Sequence, residues 1–147
     1  MPDYPPTLEA ALGRPLKFPP ATLKAVRAFA RSKPWRGTLE ERQSKIKQLH
    51  SDLCRIYAVN LTLKFQGDGT GDSGGSYFSR GANLIVLAGR LSVITFLHEW
   101  GHAVKGGSEF EACRWSLRLF QRCFPKSWGR LRFEGHVGRR GFCPSDS

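Results

Sequence analysis

The spacing of apolar residues changes along the chain, and this change constrains the fold more than any other feature. Over residues 46–56 apolar side chains recur every three or four positions, as on one face of a helix. Over residues 60–65 apolar and polar residues alternate, as in a strand with one buried face. Helical spacing returns after residue 90. The order of helices, then strands, then helices predicts an α+β domain.

Start and stop signals define the N-terminal and C-terminal helices. The predicted helices cover residues 20–31, 38–57, 91–104 and 108–124. Pro20 suits a first helical turn, and Pro34 prevents the first helix from continuing. Thr38 opens the longest helix with the capping box Thr38-Leu39-Glu40-Glu41. Gly106-Gly107 separate the last two helices.

The middle of the chain predicts a small antiparallel sheet of about three strands. The predicted strands cover residues 60–65, 76–79 and 83–87. Arg80-Gly81 form a turn between the last two, and the segment from Gly67 to Gly75 forms a flexible loop. This loop lacks the bidentate Glu of a calcium loop and the Gly-Lys-Ser/Thr of a phosphate loop.

The length of 147 residues suits one domain spanning residues 1–147. Within it, residues 1–37 form a Pro-rich, partly helical extension and residues 126–147 a basic tail. No apolar run approaches the roughly 18 residues that cross a membrane, and no secretory signal is visible at the N-terminus. We therefore expect a cytoplasmic protein without a membrane partner; its oligomeric state stays open.

The four cysteines agree with an intracellular location. They are Cys54, Cys113, Cys123 and Cys143, and no two form a C-x-x-C pair. We expect reduced thiols, with Cys113 and Cys123 acting as small apolar core residues.

One short motif carries chemistry, the H-E-x-x-H sequence His98-Glu99-Trp100-Gly101-His102. On a helix His98 and His102 lie on the same face, so both imidazoles can bind one Zn²⁺. Glu99 is then placed to act as general base on a water that the metal activates. The alternative is two surface histidines on an amphipathic helix, but the predicted strands and the apolar run 91–97 before the motif favour the metal site.

A catalytic zinc needs a third protein ligand, and two carboxylates follow the motif closely. Glu109 shares its helical face with small and apolar residues, which predicts that this face packs inward. Glu111 shares its face with arginines and is also the N3 residue of a capping box opened by Ser108. Glu109 is therefore the preferred ligand and Glu111 the alternative. His136 is a weaker candidate in a basic segment, and His50 is predicted to be structural or exposed.

These residues resemble the zincin-type metallopeptidases, over about residues 83–124. The resemblance implies a zincin-like fold in which a second helix carries the third zinc ligand. It also implies an edge strand before the active helix, onto which an extended substrate adds as a further strand; residues 82–87 occupy that place. We therefore expect the backbone edge near Leu84–Leu87 to hold the substrate.

The segment from Glu109 to Ser116 is similar to the E-x-x-A-x-x-F-A pattern of the ImmA/IrrE family of intracellular metallopeptidases. In that family the first Glu of the pattern is the third zinc ligand, which again implies Glu109. The six residues between His102 and Glu109 are fewer than is usual there, and closer to the metzincin spacing. No Met-turn can be assigned, because the only methionine is Met1.

The chain carries 23 Lys and Arg against 12 Asp and Glu, a formal charge of +11, which suggests an anionic partner. Residues 114–140 hold eight of these cations with interleaved aromatic residues, so DNA or RNA could bind there. The SprT-like zincins combine a similar active helix with DNA binding. The alternative is a solvated helix face followed by a basic tail.

Two hypotheses follow for the function. The first is a zinc-dependent endopeptidase that hydrolyses a protein or peptide substrate, with His98, His102 and Glu109 as ligands and Glu99 as general base. The second is a basic nucleic-acid-binding or regulatory module that keeps the zinc as a structural or vestigial feature.

Overall fold

A computed structural model describes residues 4–131 of the chain. It is an α+β structure with six helices and a three-stranded sheet in that part of the chain. In order these are α1 (Leu8–Leu12), α2 (Pro20–Arg31), α3 (Leu39–Ile56), β1 (Thr62–Gln66), β2 (Tyr77–Ser79), β3 (Leu84–Ala88), α4 (Val93–Lys105), α5 (Glu109–Cys123) and α6 (Pro125–Trp128).

The predicted helices form where their capping signals place them. Pro20 is the first residue of α2, and Thr38 and Glu41 cap α3 with the reciprocal hydrogen bonds of a capping box. Two short helices were not predicted, α1 and α6, because five and four residues are too few to show a period. The predicted tail from residue 126 therefore begins inside a helical turn, and residues 132–147 lie outside the described part.

The sheet is mixed, so the expectation of an antiparallel sheet is wrong. Strand β3 lies in the centre, parallel to β1 and antiparallel to β2. The segment between Gln66 and Tyr77 is long enough to carry the chain across to the far side of β3. Alternation of apolar residues reports which face of a strand is buried, but it does not report which strands are neighbours.

The expected substrate edge at Leu84–Leu87 is also wrong, because β3 has a strand on each side. Its backbone groups are used within the sheet, and four of its five residues are buried. A continuous apolar run such as Leu84-Ile85-Val86-Leu87-Ala88 is typical of a central strand rather than an edge. The edge strands are β1 and β2.

Helix α4 lies in the core of the molecule, with every residue from Val93 to Gly101 buried. It packs along α5, and Gly101 allows the close approach of the two backbones. The N-terminal region contributes to the same core through Ala11, Phe18, Val26 and Phe29. Within residues 4–131, no helix combines the length and apolar character needed to cross a bilayer.

The cysteines of the described region are unpaired, as expected. Cys113 and Cys123 are buried core residues, and Cys54 is half-buried; all three are free thiols. Cys143 lies outside the described residues.

Candidate metal centre

The H-E-x-x-H residues lie in the C-terminal half of α4. Ser92 caps this helix through its hydroxyl, which accepts a hydrogen bond from the Thr95 backbone N–H at 3.2 Å. The apolar residues that follow anchor the helix in the core. As a result His98 is 2% exposed and Glu99 7% exposed, although both are polar. Burial of this kind requires polar partners.

A short turn brings the next helix back to the histidines. Helix α4 ends at Lys105, and its C-cap residue is Gly106, whose φ of +99° is a conformation that favours glycine. Ser108 then caps α5, its hydroxyl accepting a hydrogen bond from the Glu111 N–H. Glu109 is consequently the first residue of α5, within reach of α4.

The side chains of His98, His102 and Glu109 converge. His98 Nε2 lies 3.0 Å from Glu109 Oε2, and His102 Nε2 lies 3.0 Å from Glu109 Oε1. One ligand atom from each residue lies within 4.8 Å of the others, so the group could bind a metal ion. Around a tetrahedral zinc with bonds of about 2.0–2.1 Å, ligand atoms lie about 3.3–3.4 Å apart. The contacts to Glu109 are close to that spacing.

The second ring nitrogen of His102 has its own partner. Nδ1 donates a hydrogen bond to the Gly106 carbonyl oxygen at 3.0 Å. A proton on Nδ1 leaves the Nε2 lone pair free to bind a cation, which is the tautomer that a metal ligand requires. The turn that ends α4 therefore orients this imidazole as well as returning the chain.

Electrostatics also favours a cation at this point. Burial alone would raise the pKa of the Glu109 carboxyl, but hydrogen bonds from His102 and His98 outweigh it and lower the pKa to about 2. Burial lowers the pKa of His98 despite its contact with Glu109. Burial would also lower the pKa of His102, but its hydrogen bonds to Glu109 and to the Gly106 carbonyl, together with the charges of Glu109 and Glu99, outweigh burial and raise the pKa. An ionised carboxylate between two imidazole nitrogens is a donor set that could bind a metal ion.

Glu99 lies in the same cleft and has a perturbed pKa. Burial raises the pKa of its carboxyl to about 8, while the charge of His102 and a hydrogen bond to the Phe78 backbone oppose that rise. A buried carboxyl whose pKa lies near neutrality is suited to proton transfer.

The cleft has a volume of about 400 Å³, and strand β2 forms one of its walls. Tyr77 and Phe78 line it from β2, and Arg80 lines it from the turn that follows. Because β2 has β3 on one side only, its other edge has no strand beside it in the described part of the chain. The sequence predicted a strand over residues 76–79 but not its position at the edge of the sheet, because strand order is not encoded in local periodicity.

Two further side chains near the site were not anticipated. The Arg80 guanidinium donates a hydrogen bond to the His102 carbonyl oxygen at 3.2 Å and lies 5.4 Å from the centre of the Phe78 ring. The Cys113 sulfur lies 3.8 Å from His98 Nδ1, behind the proposed ligand. The four-residue spacing from Glu109 to Cys113 places both on one helical face, so the sequence held a signal for the cysteine.

The other candidate ligands lie elsewhere. Glu111 is the N3 residue of α5, its side chain is 45% exposed, and it forms a 3.8 Å ion pair with Arg114. His136 lies outside the described residues. His50 is structural: its Nε2–H donates to the Leu61 carbonyl oxygen at 2.8 Å, and its Nδ1 accepts from the Trp100 indole N–H at 3.2 Å.

The basic stretch 114–140 divides into parts with different roles. Arg114 donates hydrogen bonds to the Arg14 and Pro15 carbonyl oxygens, and Arg118 donates to those of Leu12 and Gly13. These two arginines therefore hold the N-terminal segment on α5. Beyond Leu131, the cations of the stretch lie outside the described residues.

Comparisons of the chain with protein-family models, with curated proteins and with solved structures give no match. The inference of function therefore rests on the geometry of the centre and of its cleft.

Proposed function

We propose that this protein is a zinc-dependent endopeptidase of the zincin type, which hydrolyses peptide bonds of a protein substrate. One observation carries the proposal: His98, His102 and Glu109 converge at 3.0 Å contacts beside the buried carboxyl of Glu99. A structural zinc site is normally closed by four protein ligands, whereas a catalytic site keeps one position open. Three ligands that face a cleft of about 400 Å³ fit the catalytic type.

The donor set fits zinc in number and in chemistry. Two imidazoles and one carboxylate form a known catalytic combination for this ion, and the Gly106 carbonyl holds one imidazole in the required tautomer. Zinc, when bound, would supply a Lewis acid that activates water and polarises a peptide carbonyl.

Glu99 is the proposed general base and then the general acid. Its carboxylate accepts the proton of the attacking water and returns it to the leaving amine. The hydrogen bond to the Phe78 backbone ties this carboxyl to β2, so the same strand positions the base and lines the cleft. Ionised Glu99 is the form that acts as base.

The free edge of β2 is the proposed substrate edge. An extended peptide that adds beside Tyr77–Ser79 would run along the wall of the cleft that also contains Glu99. Tyr77 is 47% exposed, so it can cover one side chain of the added strand. This proposal replaces the expectation that Leu84–Leu87 hold the substrate.

Metal content and proteolysis of matched variants test the proposal. Purified wild-type protein should contain one zinc per chain, and Glu99→Gln should keep the zinc while losing at least about a hundredfold in peptide hydrolysis. His98→Ala should lose both. Protein that purifies without zinc and does not take it up from solution would contradict the proposal.

Glu109→Gln and Glu111→Gln form a matched pair on one helix turn. We expect the first to weaken zinc binding at least about a hundredfold and the second to leave it unchanged, because Glu111 faces Arg114 instead of the histidines. Unchanged zinc binding in Glu109→Gln would show that the third ligand is not Glu109.

A further inference from the structure

A second cleft, of about 570 Å³, is lined by the C-terminal part of α2 with the turn that follows it, and by the junction of α5 and α6. None of its residues lines the cleft of the metal centre. Glu109 and Cys123 stand at opposite ends of the 15-residue helix α5, which places the two clefts about 21 Å apart along that helix.

The lining of this second cleft is strongly basic. Six cations contribute to it, namely Arg27, Arg31, Lys33, Arg36, Lys126 and Arg130. No Asp or Glu within residues 4–131 lines it, and none of the six forms an ion pair with a carboxylate of the described region. The cations come from two separate chain segments, so only the tertiary structure brings them together. Their mutual repulsion favours a bound anion.

The walls of this cleft are held in place by contacts that do not involve the charged groups of its six cations. Lys45 of α3 donates hydrogen bonds from Nζ to the carbonyl oxygens of Lys33 and Arg36, which anchors the turn. Trp35 packs against the buried ring of Phe124 at a centroid distance of 6.1 Å and remains half-buried. The basic groups therefore stand on a prearranged scaffold with an aromatic ring in the lining.

From this arrangement we infer that the cleft binds the sugar-phosphate backbone of a single-stranded nucleic acid. Four of the six cations are arginines, whose planar guanidinium groups bind phosphate in bidentate fashion. A single strand can enter a cleft of this size and place a base against Trp35, which a duplex with its bases paired cannot do. The proposed site shares Lys126 and Arg130 with the stretch 114–140, but it excludes Arg114 and Arg118, which bind backbone carbonyls, and it adds four cations from residues 27–36.

Salt-dependent binding of a labelled single-stranded dT oligonucleotide to the full chain tests this proposal. The measurement is made with a chelator present, so that its result is independent of the metal centre and of proteolysis. The variant Arg27→Gln/Arg130→Gln removes one cation from each wall. Its matched control is Lys24→Gln/Arg90→Gln, which removes two exposed cations outside the cleft, one of them on the same helix as Arg27.

We expect wild type and control to bind alike, and the cleft variant to bind on the order of tenfold more weakly at 0.1 M salt. The slope of log affinity against log salt should fall by about 1.4 in magnitude, since each contact to a single strand contributes about 0.7. All substituted residues are exposed, and equal melting temperatures would verify folding. A second cleft variant, Arg31→Gln/Lys126→Gln, should reproduce the loss.

Several results would overturn the proposal. Equal losses of oligonucleotide affinity in the cleft variants and the control would show that binding depends only on the net charge of the chain. Tighter binding of a duplex of the same length would contradict the single-strand assignment. Equally tight binding of a poly-glutamate peptide of matched charge would indicate an acidic protein partner instead. Absence of oligonucleotide binding at low salt would show that the cleft does not bind nucleic acid.

Discussion

Gly101 of α4 lies directly against Ala112 of α5. A β-carbon at position 101 would lie 2.7 Å from the Ala112 carbonyl oxygen, a distance that packed atoms do not tolerate. The glycine in the middle of the H-E-x-x-H sequence therefore sets the separation of the two helices that carry the proposed ligands. Its place between His98 and His102 couples helix packing to the geometry of the site.

Substitution Gly101→Ala tests this coupling. Alanine normally favours a helix interior by about 0.5–1 kcal/mol over glycine, but here the clash should outweigh that gain. We expect the free energy of unfolding to fall by about 1–3 kcal/mol, and zinc affinity to fall because Glu109 moves away from the histidines. Chemical denaturation and metal titration measure the two effects. A control, Gly107→Ala, has open space around its β-carbon and should change stability little.

His50 makes stability depend on pH in a defined direction. Burial lowers the pKa of His50, with the Leu61 hydrogen bond opposing it, and Nδ1 must stay unprotonated to accept the Trp100 N–H. Because the folded pKa lies below the unfolded value near 6.5, the unfolded chain binds the proton first. The contribution of neutral His50 to the free energy of unfolding is complete above about pH 6.5, and it is lost as the pH falls towards the pKa of His50 in the folded protein.

We therefore expect wild-type protein to lose more stability between pH 7.5 and 5.5 than His50→Gln does. Urea unfolding of both proteins with a chelator present measures the difference, since the remaining groups then titrate alike. The variant itself should be less stable by about 1–3 kcal/mol at pH 7.5, because the Trp100 indole loses its acceptor. Parallel stability curves for the two proteins would contradict the assignment.

Arg80 is the only Lys or Arg that lines the cleft of the metal centre within residues 4–131. Under the proposed function, we expect it to favour substrates with an acidic side chain near the scissile bond. Arg80→Gln should lower kcat/KM for Asp- or Glu-containing peptides about tenfold and change it little for neutral peptides of the same length. Equal changes in kcat/KM for both peptide classes would show that Arg80 acts by its hydrogen bond to the His102 carbonyl and does not select acidic substrates.

Arg118 is predicted to stabilise the fold and to play no part in nucleic-acid binding. Its guanidinium donates to the carbonyl oxygens of Leu12 and Gly13, which joins α5 to the N-terminal segment. Hydrogen bonds from a charged donor contribute about 1.5–3 kcal/mol each, so Arg118→Met should lower the free energy of unfolding by at least that amount. Oligonucleotide affinity of the folded variant should equal that of wild type. A loss of oligonucleotide affinity without a loss of stability would show instead that Arg118 contacts the nucleic acid.

Local sequence signals predicted those parts of the molecule that depend on neighbouring residues. The capping box at Thr38 and the proline at position 20 set the starts of α3 and α2, because a helix cap involves atoms only three positions apart. The preference for Glu109 over Glu111 came from the two faces of α5, and the structure places Glu109 beside both histidines. Helical periodicity is sufficient for such a choice, since it reports which side chains face the core.

The amino-acid sequence by itself determined the α+β class, the extents of the long helices and the group of residues that could bind a metal ion. The tertiary structure decided which strand lies at the edge, how Gly101 and Ala112 set the separation of α4 and α5, and that six cations from two segments share a cleft. The physical reason is the range of the interactions. Caps and periodicity act over a few residues, whereas strand order and charge clustering depend on contacts between distant segments, which a local pattern does not encode.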